Sequence, residues 1–157
     1  MWSYLSDCRR IEEIAGTIYQ HLAAEKTYHD KVRELFRKLG DDEREHTHHI
    51  DLVLQANDKD IATLKMIAGE KLNEVLELAE HLLEKVQQEE LEEEDALRLA
   101  VQMEQQFVKV HADNSVYFRD RELSSLFSKL GSEDEAHLNT LKDCLKWWHA
   151  EQKKCRE

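Results

Sequence analysis

The sequence predicts an all-α protein: a four-helix bundle made of two αα-hairpins joined by a long crossover. The 157 residues include no proline and only four glycines, so few positions interrupt a helix. Apolar residues recur every three or four positions along nearly the whole chain, which is the spacing of amphipathic helices. The stretch LGDDEREH at 39–46 returns as LGSEDEAH at 130–137, which indicates that one hairpin occurs twice.

The two hairpins have similar lengths. Hairpin repeat 1 is expected at about 4–56 and hairpin repeat 2 at about 96–151. Each contains two helices, with boundaries expected at about 4–25, 31–56, 96–115 and 121–151. A chain of this length can bury one core, so we expect a single domain over 1–157.

The crossover, about 57–95, contains an additional helix. A polar break at 57–60 is followed by a helical pattern at 61–90 and an acidic turn at 91–95. Two hairpins joined by a long connection are a known topology of four-helix bundles.

Charge and composition exclude several classes of function. The net charge of -12 argues against binding of nucleic-acid phosphates or anionic lipid. No apolar run is long enough to span a membrane, and the first residues resemble no signal peptide, so we expect a cytoplasmic protein. The cysteines Cys8, Cys144 and Cys155 form no CxxC pair, so neither a disulfide framework nor a thiolate zinc site is expected.

The second and fourth bundle helices each carry an apolar seam that ionisable residues interrupt. In both helices the spacing alternates between three and four residues, as expected for a face that packs on a partner helix. On the second helix the seam is Val32, Phe36, Leu39, Glu43, His46, Ile50 and Val53. On the fourth helix it is Leu123, Phe127, Leu130, Asp134, His137, Leu141, Cys144 and Trp148.

The first and third helices each place one glutamate on an inner stripe. A shift of 92 residues aligns Glu12 with Glu104 and Tyr19 with His111. Both glutamates share their helix face with apolar side chains, whereas Glu13 and Gln105 fall on the polar faces. Four carboxylates and two histidines are therefore expected in one core.

Metal ions explain this cluster best. Buried carboxylates without partners cost several kcal/mol, and their mutual repulsion adds to the cost. Two divalent cations would neutralise four carboxylates, and no Lys or Arg interrupts the inner stripes. A Glu from each of two helices and a Glu-x-x-His pair from each of the others is the ligand pattern of di-iron carboxylate bundles. The predicted ligands are Glu12, Glu43, His46, Glu104, Asp134 and His137.

Other residues near this pattern offer alternatives to it. The alternative to a metal site is a bundle with a buried polar network, and the shorter side chain of Asp134 gives that alternative some support. Glu133 could substitute for Asp134, although its register points it sideways. Glu45 and His48 have the same spacing but lie off the seam, so we expect no ligation there. Tyr19 and His111 are candidates for hydrogen bonds to the ligands.

The whole set resembles the ferritin-like superfamily and, within it, the rubrerythrin-like proteins. The residues that carry the resemblance are Glu12-x-x-Ala15-x-x-x-Tyr19, Glu43-x-x-His46, Glu104 and Asp134-x-x-His137. The resemblance covers nearly the whole chain. It implies a ferritin-like fold and two iron ions, with manganese or a mixed pair as alternatives. It also implies that Glu43 and Asp134 bridge the ions.

The sequence departs from the rubrerythrin pattern in three ways. Without CxxC pairs, a rubredoxin domain is not expected. Phe107 stands where rubrerythrins carry an additional glutamate. Asp134 replaces a glutamate.

The function implied is that of an oxidoreductase acting on peroxide, oxygen or ferrous iron, with a separate electron donor. A metal-binding or storage protein without turnover, and a structural bundle with a decayed site, are the alternatives. We also expect a homodimer, because adjacent Trp147 and Trp148 cannot both lie on one buried stripe.

Overall fold

The computed structural model describes residues 2–56, 66–118 and 120–156, and within these ranges the chain forms five helices. They are α1 (Trp2–Ala23), α2 (Asp30–Ala56), α3 (Met66–Gln88), α4 (Glu93–Tyr117) and α5 (Arg121–Arg156). The predicted all-α class, the two hairpins and the helix in the crossover are confirmed. The polar break at 57–60 and the start of the side helix at 61–65 lie outside the described residues.

The helix ends differ from the predicted ends by a few residues. Helix α4 begins three residues early because Glu93, Glu94 and Asp95 fill its first turn, where negative charge stabilises a helix. Helix α5 continues five residues further than predicted. Its last turn contains Lys153, Lys154 and Arg156, whose positive charge suits a C-terminus.

The four bundle helices pack as two hairpins. Helix α1 runs along α2, α4 runs along α5, and α2 and α5 meet across the bundle. Helix α3 packs on α1 and α4 and therefore covers one side of the bundle. Its buried side chains follow heptad spacing: Leu72, Val75, Ala79, Leu82 and Val86.

Polar contacts tie the two hairpins together at one end. The backbone N–H of His29 donates to Glu93 at 2.8 Å, and Nδ1 of the same histidine lies 2.6 Å from the other carboxylate oxygen. The Tyr28 hydroxyl donates to the carbonyl of Leu91 at 2.7 Å. The start of α2 is thereby fixed to the start of α4, which sets the relative height of the two hairpins.

The two adjacent tryptophans pack against residues of the same chain, whereas the sequence predicted a contact with a second subunit. Trp147 and Trp148 are both partly buried against the chain's own core. Trp147 packs edge-on against His29, and Lys31 Nζ lies 4.5 Å from the centre of its ring. Part of the cover expected from a second subunit is thus supplied within the chain, and the homodimer stays a prediction.

The sequence predicts neither a membrane-spanning helix nor a disulfide framework. None of the helices in the described ranges is both long enough and apolar enough to cross a membrane. All three cysteines are free thiols, with Cys8 and Cys144 buried and Cys155 exposed.

Candidate metal centre

The six predicted ligands all lie inside the bundle. The carboxylates Glu12, Glu43, Glu104 and Asp134 are fully buried, and the histidines are 1% (His46) and 8% (His137) exposed. Each comes from the helix predicted to carry it: α1, α2, α4 and α5. The seams of α2 and α5 are otherwise filled by buried apolar residues, so the helix packing itself forces these polar groups together.

The six residues form two overlapping groups of four. The first group contains Glu12, Glu43, His46 and Asp134, and the second contains Glu43, Glu104, Asp134 and His137. Within each group, one potential ligand atom from every residue lies within 4.8 Å of the others. Glu43 and Asp134 belong to both groups, which is the arrangement needed for two ions that share two carboxylates.

Both histidines direct Nδ1 toward the carboxylates. His46 Nδ1 lies 3.1 Å from Glu43 and 3.3 Å from Glu12. His137 Nδ1 lies 3.4 Å from Glu43 and 3.7 Å from Glu104. The two rings are stacked with their centres 5.8 Å apart. Each group therefore has its own histidine and its own terminal glutamate.

The donor set fits metal ions. Four carboxylate oxygens and one ring nitrogen of the cluster are buried without a hydrogen-bond partner: Glu12 Oε1, Glu43 Oε1, Glu104 Oε2, Asp134 Oδ1 and His137 Nδ1. Buried polar atoms are nearly always hydrogen-bonded, so five unpartnered atoms in one place call for a ligand. Imidazole and carboxylate groups together suit iron, manganese and zinc.

Comparison with protein families agrees with this geometry. The family model for Rubrerythrin matches residues 4–145. The chain belongs to the Rubrerythrin family. Comparison with curated proteins and with solved structures gave no match.

The charges in this rubrerythrin-family site perturb one another. Burial raises the pKa of Glu43, and the negative charges of Glu12 and Glu104 raise it further. Burial also raises the pKa of Asp134, to about 6, although neighbouring His111 opposes the change. Without cations the cluster therefore retains protons that a metal ion would displace.

Tyr19 and His111, predicted to contact the ligands, do so in different ways. The Tyr19 hydroxyl donates to Glu104 Oε1 at 2.5 Å. His111 Nδ1 lies 2.5 Å from Asp134 Oδ2, and its Nε2 lies 2.8 Å from Glu12 Oε1. The second contact is within ion-pair distance but is not aligned as a hydrogen bond. At the equivalent position, Tyr19 of hairpin repeat 1 therefore contacts one carboxylate, and His111 of hairpin repeat 2 contacts two.

The repeated Leu-Gly pair has a packing role at these positions. A Cβ atom at Gly40 would lie 3.3 Å from the Cβ of Tyr19, and one at Gly131 would lie 3.3 Å from the Cβ of His111. Both distances are tighter than ordinary contact. The glycines therefore let α2 approach α1, and α5 approach α4, at the turn where the ligand contacts are made.

Two functional candidates were missed by reasoning from the seams. His46 Nε2 lies 2.5 Å from Glu133, and His137 Nε2 lies 3.0 Å from Asp42. Each carboxylate reaches from one hairpin to the histidine of the other. Glu133, a possible substitute for Asp134 in the sequence, contacts the outer nitrogen of a histidine instead. The signal was present in the repeat, which aligns Asp42 with Glu133.

The outer edges of the two histidines line a cleft between α2 and α5. The cleft measures about 260 Å³, and Asp42, Glu45 and Glu133 stand among its walls. Helix α3 covers the side of the bundle formed by α1 and α4. Within the described residues, the histidines therefore face this cleft, which is an approach to the site. Glu45 and His48 are exposed, as their off-seam register predicts.

Proposed function

We propose that this chain is a di-iron or di-manganese carboxylate oxidoreductase that acts on peroxide, oxygen or ferrous iron. The observation that supports it most strongly is the pair of four-residue groups that share Glu43 and Asp134. Membership of the Rubrerythrin family makes iron the preferred metal. The formal charges support two divalent ions, because four buried carboxylates carry -4 and two such ions carry +4.

The ligands divide by group. Glu12 and His46 would hold one ion, Glu104 and His137 would hold the other, and the two shared carboxylates would contact both. When bound, a pair of ferrous ions supplies two electrons for the reduction of an O–O bond. The choice of peroxide, oxygen or ferrous iron as the natural substrate belongs to this proposal.

The surrounding residues prepare the site for this chemistry. Asp42 and Glu133 accept from the outer nitrogens of the histidines, so Nε2 keeps its proton and Nδ1 is free to bind metal. Phe36, Phe107 and Phe127 are fully buried and exclude water from the core. A small oxidant would enter through the cleft between α2 and α5.

The proposal also includes an electron donor, an oligomeric state and a cellular location. A separate electron donor for repeated turnover, also expected from the sequence, is part of this proposal. A homodimer and a cytoplasmic location, both expected from the sequence, stay predictions.

The proposal is tested by anaerobic reconstitution with ferrous iron, followed by hydrogen peroxide or air. We expect about two ions per chain and an absorbance change from ferric iron that needs both the metal and the ligands. Glu43→Gln and His137→Gln should lose bound iron and the absorbance change. Glu45→Gln and His48→Gln are matched controls, because the same exchanges fall on exposed positions with the same spacing.

The outcomes separate the alternatives. Iron binding with a single oxidation that added reductant cannot repeat would favour storage without turnover. A chain that binds no iron at any loading, while circular dichroism shows an intact helical fold, would contradict the proposal and favour a decayed site.

A further inference from the structure

The hairpin repeat is broken at one position beside the candidate metal centre. Tyr19 and His111 are equivalent in the two repeats, and both are buried. They nevertheless contact different oxygens of the ligand carboxylates. We call the oxygen nearer a histidine ligand the inner one and the other oxygen of that carboxylate the outer one.

His111 holds outer oxygens and leaves inner ones free. It contacts Asp134 through Oδ2 and Glu12 through Oε1. The other oxygens of these carboxylates face the histidine ligands. Glu12 Oε2 lies 3.3 Å from His46 Nδ1, and Asp134 Oδ1 lies 3.8 Å from the Nδ1 atoms of both His46 and His137. One imidazole thus orients two carboxylates without occupying the atoms that face the site.

Tyr19 acts on the inner oxygen instead. Its hydroxyl donates to Glu104 Oε1, and the same oxygen is the one placed 3.7 Å from His137 Nδ1. Glu104 Oε2 has no hydrogen-bond partner, so an ion in the second group would bind through that oxygen or share Oε1 with the tyrosine proton. In the first group, His111 contacts Glu12 through the oxygen opposite the one nearest His46.

We propose that His111 is a positioning residue that makes the two metal positions unequal, so that the group containing Glu12 and His46 fills first. This inference rests on the proposed di-metal function. Neighbours that orient metal ligands typically contribute about 10- to 100-fold to affinity. We therefore expect stepwise binding, with the second ion held at least about tenfold more weakly than the first.

The experiment isolates each position and titrates it with Co²⁺ alone, following the visible absorption of the bound ion. Glu104→Gln leaves the first group complete, and Glu12→Gln leaves the second. The Glu104→Gln chain should bind one ion with the affinity of the tighter step of the unchanged protein. The Glu12→Gln chain should bind one ion more weakly.

His111→Phe is then added to each background. It should lower affinity about 10- to 100-fold in the Glu104→Gln chain. The loss should be smaller in the Glu12→Gln chain, where only the shared Asp134 loses its contact. Tyr19→Phe is the matched control and should leave the affinity of the Glu104→Gln chain unchanged. His111→Gln, which retains a donor, should recover part of the loss if the phenylalanine variant folds poorly.

Two results would overturn the inference. Equal affinities for both ions, or the same loss from His111→Phe in both backgrounds, would mean that His111 has a general structural role. Absence of Co²⁺ binding to the unchanged chain would instead reject the proposed function itself, and this inference with it.

Discussion

Loading the site with a divalent ion should release protons from several ligands, and the contribution of His46 can be worked out from its pKa. Burial lowers the pKa of this imidazole, but its contacts with Glu12 and the charge of Asp134 outweigh burial and raise the pKa to about 9. Its Nε2 faces Glu133 at 2.5 Å, so the proton that must leave is the one on Nδ1. That nitrogen needs a free lone pair to bind metal.

The magnitude follows from the position of this pKa. At pH 7.5 a group with a pKa of about 9 is about 97% protonated, and removing its proton costs about 2 kcal/mol. His46 should therefore release about one proton per chain. From His46 alone, apparent affinity should rise about tenfold per pH unit between pH 6.5 and 9, and protons displaced from Glu43 should add to this slope. The pKa of His137 is also raised, so its proton steepens the dependence.

Calorimetric titration with Zn²⁺ in two buffers of different ionisation enthalpy measures the protons directly. Glu133→Gln weakens one of the hydrogen bonds that raise the pKa of His46, so this variant should release fewer protons at pH 8. Binding heats that do not depend on the buffer, together with an affinity that is flat from pH 6.5 to 9, would refute the reasoning.

Three further predictions concern stability. Ferrous iron at about 100 times its dissociation constant should raise the melting temperature by about 5–10 °C, which a chelator should reverse in scanning calorimetry. In the metal-free chain the raised pKa of His46 stabilises the fold fully below pH 6.5. The free energy of unfolding should therefore fall by up to about 3 kcal/mol as the pH rises through 9. Urea denaturation should show this loss, and a smaller one in His46→Gln. Gly16→Ala meets only ordinary contacts at 3.7 Å and should gain up to about 1 kcal/mol, whereas Gly131→Ala meets the Cβ of His111 at 3.3 Å and should not. A similar gain from both substitutions would show that the close approach is not constrained.

Periodicity predicted the helices and the six inward residues because both depend on which face of a helix is buried. Glu43 and Asp134 interrupt apolar seams, and that interruption is visible in the sequence alone. The contacts of Asp42 and Glu133 with the histidines do not interrupt an apolar seam, and only the alignment of these two residues in the repeat points to them. The contact of Asp42 with His137 depends on the offset between α2 and α5, which periodicity within one helix does not determine. The ends of α4 and α5 depended on terminal charges rather than on the apolar pattern.

The duplicated motif divides each metal position between the two hairpins. Hairpin repeat 1 supplies three residues of the first group, and repeat 2 supplies only Asp134. In the second group the proportions are reversed, and repeat 1 supplies only Glu43. Neither hairpin alone has all four residues of either group. Ions bound as proposed would therefore link α2 to α5, and the free energy of binding would add to the association of the hairpins. The metal-free bundle must instead hold four buried carboxylates together by partial protonation and by the positive charge of histidines, which explains why metal loading and pH should affect the stability of the same interface.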